Sequence, residues 1–171
     1  MKNNSIDLFV PCLVDESLLP ELQGFVDSAT VKNIFLMVRE LPAASLQPKV
    51  KCIVAQSLTA DDVFLKMAGE AESEFVIYFS KGLPQIQAAD LEKFCSAVPQ
   101  NAAMAYADYY KIIAGEVCAA PAIDYQAGSL RNDFDFGSVL LFRTAALKEY
   151  AANAKAEYSY AGLYRLRLAM S

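Results

Sequence analysis

The sequence predicts a three-layer α/β/α domain built on a mainly parallel sheet, and three observations carry that prediction. Short apolar runs alternate with amphipathic segments of helical length along most of the chain, the pattern of successive βαβ units. The alternation then breaks into a hairpin and a long polar loop before resuming. The length, 171 residues, fits one domain spanning 1–171 with a substantial core.

The elements follow in order. Ile6-Asp-Leu-Phe-Val-Pro-Cys-Leu opens as a buried strand over 6–13, and Asp15-Glu-Ser begins an amphipathic helix running to about Ser28. Apolar strands are expected at 33–38 and 50–54. Thr59-Ala-Asp-Asp resembles a helix start, with Thr59 as cap and Asp61 and Asp62 near the positive end of the helix dipole. That helix should reach about Glu72, ahead of a strand at 74–79, a helix over 88–97 and a strand at 103–108. A hairpin over 110–118 should turn at Ala114-Gly115. A last strand at 138–142 leads into a helix from about Thr144, and 160–170 reads as helical.

Composition narrows the chemistry. There is no histidine in the chain, so Ser-His-Asp and Cys-His nucleophile systems are excluded, and the commonest transition-metal ligand is missing. Catalysis would have to use carboxylates, Lys, Tyr, Arg or a hard metal held by oxygen. A net charge of −5 argues against a nucleic-acid surface, which needs a basic face. The four cysteines are far apart with no Cys-x-x-Cys pair and read as buried thiols of a reducing compartment. No apolar run reaches the roughly 18 residues of a membrane-spanning helix, and the polar start is unlike a signal peptide. A cytoplasmic location without a transmembrane segment is the expectation.

The most concentrated chemistry lies in 124–137, Asp-Tyr-Gln-Ala-Gly-Ser-Leu-Arg-Asn-Asp-Phe-Asp-Phe-Gly. Three carboxylates, an Arg and two Gly share this stretch with Phe134 and Phe136, which alternate with Asp133 and Asp135. Alternation lets the rings anchor one side while the carboxylates face the other. A well-anchored surface loop is the competing reading. In open α/β sheets ligands lie beyond the carboxyl ends of the strands, and those ends here carry 11–16, Ser80-Lys81-Gly82 and Asp108-Tyr109-Tyr110. Neither a G-x-G-x-x-G nor a G-x-x-x-x-G-K-[ST] loop occurs, so a backbone phosphate cradle is not expected.

The order of these pieces resembles glycosyltransferase family 2, whose members transfer sugars from nucleotide-diphospho-sugars on a GT-A fold. Leu8-Phe-Val-Pro-Cys-Leu-Val-Asp-Glu-Ser resembles the family's first strand, its Pro and its acidic turn into a helix. Phe136-Gly-Ser-Val-Leu-Leu-Phe-Arg-Thr-Ala-Ala-Leu is similar to its late strand leading into "f-R-r-a-l", and Tyr164-Arg-Leu-Arg-Leu sits where it writes "E-D-x-x-L-x-x-R-L". The 124–137 segment looks like that of a bacterial subgroup carrying Tyr-Gln-x-Gly-Ser-Leu-Arg-x-Asp-Phe-x-Phe-Gly. Two positions depart from the family. Its D-x-D place reads Ser80-Lys81-Gly82, and its catalytic-base place reads Tyr160-Ala161-Gly162.

The resemblance implies a GT-A-like domain, whole or as the donor-binding part of a longer chain, with a nucleotide-diphospho-sugar donor and an acceptor of unspecified kind. It puts Pro11, Asp15 and Glu16 at the donor; the strand ends add Lys81 and Asp108 and the loop adds Arg131 as donor-binding candidates, with Asp133 and Asp135 as the catalytic candidates. Each has a plainer reading: dipole-favoured charges for Asp15 and Glu16, a solvated cation for Lys81, a strand-end cap for Asp108, an internal ion pair for Arg131. With the D-x-D carboxylates missing, no cofactor should be tightly bound, and Mg²⁺ or Mn²⁺ should not be held without ligand. The alternatives are a catalytically silent domain binding a nucleotide sugar or a protein partner, and a nucleotidyltransferase.

Overall fold

The computed structural model describes residues 4–12, 18–42, 46–124 and 135–171. Six strands form one sheet in the order β3-β2-β1-β4-β8-β5. They are β1 (Ile6–Pro11), β2 (Val31–Val38), β3 (Val50–Val54), β4 (Phe75–Phe79), β5 (Met104–Ala105) and β8 (Val139–Arg143). Neighbours among β1 to β4 run parallel. β8 is antiparallel to both β4 and β5. The expected α/β class with a mainly parallel sheet therefore holds, with one reversed strand inside it.

Alternation along each strand divides the core between the two faces of the sheet. Phe9, Phe35, Val76, Tyr78 and Phe142 pack with Phe64 and Met67 of α3 (Asp61–Glu70), Leu147 of α5 (Thr144–Asn153) and Leu166 of α6 (Gly162–Ala169). Leu8, Ile34, Leu36, Ile77 and Leu141 pack on the other face with Phe25 of α2 (Gln23–Val26) and Leu91 and Cys95 of α4 (Ala88–Ala97). Phe9 stacks on Phe35 with centroids 4.5 Å apart, and Phe64 meets Tyr78 edge-on at 5.8 Å. Among the described residues no helix is long and apolar enough to cross a membrane.

Two buried carboxylates tie these layers together. Asp7, fully buried on β1, accepts hydrogen bonds from Asn33 Nδ2 (2.8 Å), Ser73 Oγ (2.8 Å) and the backbone N–H groups of Glu72 (2.7 Å) and Ser73 (2.8 Å). A charge taken out of water requires such partners, and here they fix the turn before β4 against β1 and β2. Asp61, also fully buried, accepts from Arg165 Nη1 (2.8 Å) and from the N–H groups of Glu157 (3.1 Å) and Tyr158 (3.0 Å).

The helix starts differ from expectation. Ala60, not Thr59, occupies the cap position of α3 and makes no side-chain cap bond. The Thr59 hydroxyl meets Ser57 instead (3.0 Å), while Asp61 turns inward to the distant Arg165. The region expected as one helix to Ser28 contains two short ones, α1 (Leu18–Glu21) and α2, with Leu22 between them. The hairpin forms as expected. β6 (Tyr109–Ile113) and β7 (Glu116–Ala120) turn through Ala114 (φ 51°) and Gly115 (φ 86°), two positive φ angles that give the hairpin the twist of its strands. Of the cysteines, Cys12 and Cys95 are buried and Cys52 and Cys118 half-buried, and none of the four is in a disulfide. Burial pushes the Cys95 thiol up to about 12 and raises that of Cys52, so neither is a ready thiolate at neutral pH.

The docking of α6 is testable at one glycine. Gly162 donates its N–H to Thr59 O (2.8 Å), and a Cβ there would lie 2.6 Å from the backbone of Ala60 and Asp61. Gly162→Ala should therefore cost about 1–3 kcal/mol of stability by overpacking. Gly69→Ala, inside α3 with open space at its Cβ position, should gain about 0.5–1 kcal/mol through helix propensity. Urea unfolding of both variants checks the pair, and a neutral Gly162→Ala would mean that α6 does not seat on the start of α3.

Candidate functional site

β8 begins where β4 ends, because the two run antiparallel and Phe79 pairs with Val139. Ser80 extends this pairing by donating its N–H to Ser138 O (2.9 Å) and its hydroxyl to Gly137 O (3.1 Å). Two left-handed glycines shape the junction. Gly82, at φ 90°, turns the chain immediately after Lys81. Gly137, at φ 79°, lies so close to Tyr109 that a Cβ would sit 3.0 Å from its ring. A side chain there would meet both backbone strain and the ring.

The result is a cluster around one carboxylate. Asp135 accepts from Lys81 Nζ (2.6 Å, Oδ1), Tyr109 Oη (2.6 Å, Oδ2), Lys111 Nζ (3.3 Å, Oδ2) and its neighbour Gly137 N–H (3.0 Å, Oδ1). The Lys81 and Lys111 ammoniums lie 6.0 and 5.3 Å from the Tyr109 ring centroid. Side-chain exposures of 51% for Lys81, 46% for Lys111 and 39% for Asp135 keep all three open to solvent. Lys81 first, then the Tyr109 hydroxyl, hold the Asp135 carboxyl well below the usual carboxylate range. A carboxylate so stabilised is a weak proton acceptor. In this arrangement it serves as a counter-ion.

Below the cluster the chain is anchored by rings. Phe136 is buried, edge-on to Tyr106 at 4.7 Å, with the Arg167 guanidinium 4.5 Å from its centroid. The Tyr106 hydroxyl donates to Ile123 O (2.7 Å), and Asp108 accepts from Ala122 N–H (2.8 Å). These two bonds close the root of the hairpin.

The expected site residues separate as follows. Lys81 and Asp135 meet directly. The strand expected at 103–108 is only Met104–Ala105, so Asp108 lies three residues beyond its end, just before β6, and accepts from Ala122 N–H across the hairpin root. Pro11 is the buried last residue of β1, paired with Met37. Asp15, Glu16, Arg131 and Asp133 lie outside the described residues. Tyr109, named from the sequence only as a neighbour of Asp108, and Lys111, not singled out at all, join the cluster. Their signal was the hairpin itself, since residues two apart on a strand share a face, and Tyr109 and Lys111 alternate with Tyr110 and Ile112.

Two concavities lie away from this cluster. One of about 480 Å³ is bordered by α5 and α6, including Tyr150 and Arg165. Another of about 400 Å³ runs from Asn101 to Phe136 and Arg167. Neither is lined by Lys81 or Asp135. Among the described residues no three or more Cys, Asp or Glu side chains converge as a metal site. No protein-family model matches the chain, and no curated protein matches it.

The charge pairing sets a pH dependence. Asp135 has a folded pKa below its unfolded one, so its pairing contributes stability at neutral pH and loses it as pH falls through the ordinary carboxylate value near about 4 and below. Because the group is more than a third exposed, screening keeps the effect small. The melting temperature of Asp135→Asn should lie slightly below that of the parent by a constant gap from about pH 8 to 6, closing below about pH 4. A gap that closes between pH 6 and 7 would contradict a carboxylate held ionised by Lys81.

Proposed function

We propose that this chain binds a nucleotide-diphospho-sugar at the carboxyl edge of its sheet, as a glycosyltransferase of GT-A type or as the donor-binding half of one, with transfer to a separate acceptor. One observation carries the reading. Lys81 emerges at the end of β4, where the family it resembles places its metal-holding carboxylates, and a second ammonium, Lys111, stands beside it on the same carboxylate. A metal neutralises a diphosphate in enzymes with the D-x-D pair. Here the local cations are ammoniums, compact point charges suited to phosphate oxygens. The α/β sheet is consistent with this reading, and the GT-A form is part of the same proposal.

A second reading has its own support. Asp135, the described member of the Asp133 and Asp135 pair to which catalysis was attributed, is engaged by two lysines and a phenol and is a weak base in that state. A domain that binds the donor without turning it over needs no stronger base. Under both readings Lys81 meets the diphosphate.

Calorimetric titration with uridine and guanosine diphosphates, with and without EDTA, tests the proposal. Binding should persist in EDTA and weaken roughly tenfold or more in Lys81→Ala, the size of one lost charge-assisted hydrogen bond. Binding that vanishes on chelation but survives Lys81→Ala would show that carboxylates hold a metal there and would overturn the lysine's role.

A further inference from the structure

We propose that Lys81 and Lys111 form a two-cation clamp for a phosphoryl group, and that Asp135 is an internal carboxylate occupying the clamp until the ligand displaces it. The inference rests on the reading of Lys81 as an anion-binding residue and extends it to a second cation and a competitor carried by the chain. Three elements converge on one small anion. Lys81 comes from the end of β4, Lys111 from β6 and Asp135 from the approach to β8. The two ammoniums take opposite oxygens of that carboxylate, at 2.6 and 3.3 Å. A carboxylate bridging two cations sits where a phosphoryl group would sit, since both offer oxygens at similar spacing and both suit ammonium donors.

Retaining the carboxylate beside a bound diphosphate would put like charges in contact, which opposes binding. Leaving it out requires Asp135 to move, and the geometry makes that cheap. Its two lysine pairs are half exposed, and exposed ion pairs contribute little net stability. The buried alternatives differ. Asp7 and Asp61 have no exposure, so solvent cannot replace their partners and neither is exchangeable.

The test uses inorganic pyrophosphate as the probe, titrated into the full chain at fixed ionic strength. Asp135→Asn, which removes the competing charge but keeps a side chain of the same shape, should bind pyrophosphate roughly tenfold more tightly than the parent. Lys111→Ala should bind roughly tenfold less tightly. Lys66→Ala, which breaks an ion pair with Asp62 on α3, should leave affinity unchanged. Asp135→Asn binding no more tightly, or Lys111→Ala binding equally well, overturns the clamp.

A readout on the parent protein avoids dependence on any variant's folding. The Gly137 N–H donates to Asp135 Oδ1, so pyrophosphate should speed exchange of that amide with solvent, and exchange that is unchanged or slower overturns displacement. Failure of the nucleotide reading would look different. Pyrophosphate binding with the expected variant pattern, but no gain from a nucleoside, leaves the clamp standing and removes the nucleotide donor. Nucleoside diphosphate binding that depends on Lys81 but ignores Lys111 and Asp135 does the reverse.

Discussion

A strand that runs backwards in an otherwise parallel sheet begins at the edge where its neighbours end, and that constraint organises this molecule. β8 lies between β4 and β5 and is antiparallel to both. The chain entering it must therefore pass the carboxyl ends of the parallel strands, the edge where α/β sheets hold ligands. Ser80 locks the junction by bonding to Ser138 and Gly137. Asp135, two residues before Gly137, then has no choice but to lie beside Lys81. Had β8 run parallel, the same residues would have arrived at the opposite edge, near Asp7.

Three aspartates show how burial decides what a carboxylate does. Asp7 is engaged by four hydrogen bonds from neutral donors. Asp61 adds a guanidinium to two backbone donors, and Arg165 is itself bonded to Lys155 O at 2.8 Å. Removing a partner from either leaves a charge or several donors stranded out of water, which costs several kcal/mol at most sites of this kind, about 3–5. These two serve the fold. Asp135 keeps comparable partners but at a wet edge, where solvent replaces each of them at small cost. Exchangeability follows from exposure rather than from the number of bonds.

The sheet was legible because its strands are short apolar runs separated by helices, and each of the six expected strands is present in one sheet. The hairpin was legible from Ala114-Gly115, where the glycine accepts positive φ and the alanine before it sits at 51°. What escaped depends on distance in sequence. Strand direction is not written in periodicity, so the reversal of β8 could not be read. The Thr59 cap failed because Arg165, 104 residues from Asp61, draws the first helical carboxylate inward. Lys111 carries no signal of its own in the hairpin sequence, and only the closure of the chain on itself puts it against Asp135.

The hairpin's position is the last link between fold and site. Its strands alternate so that Tyr109 and Lys111 face the cluster while Tyr110, Ile112 and Val117 stay exposed, at 75%, 65% and 69%. Among the described residues, none of the hairpin's residues belongs to either core cluster, and a two-stranded ribbon is marginally stable by itself. Among the described residues, its β6 strand meets the body through Asp135 and through the Tyr109 ring on Gly137. A group that took Asp135's place between the lysines, as proposed, would take over part of that attachment, so occupancy of the edge would be coupled to placement of the hairpin.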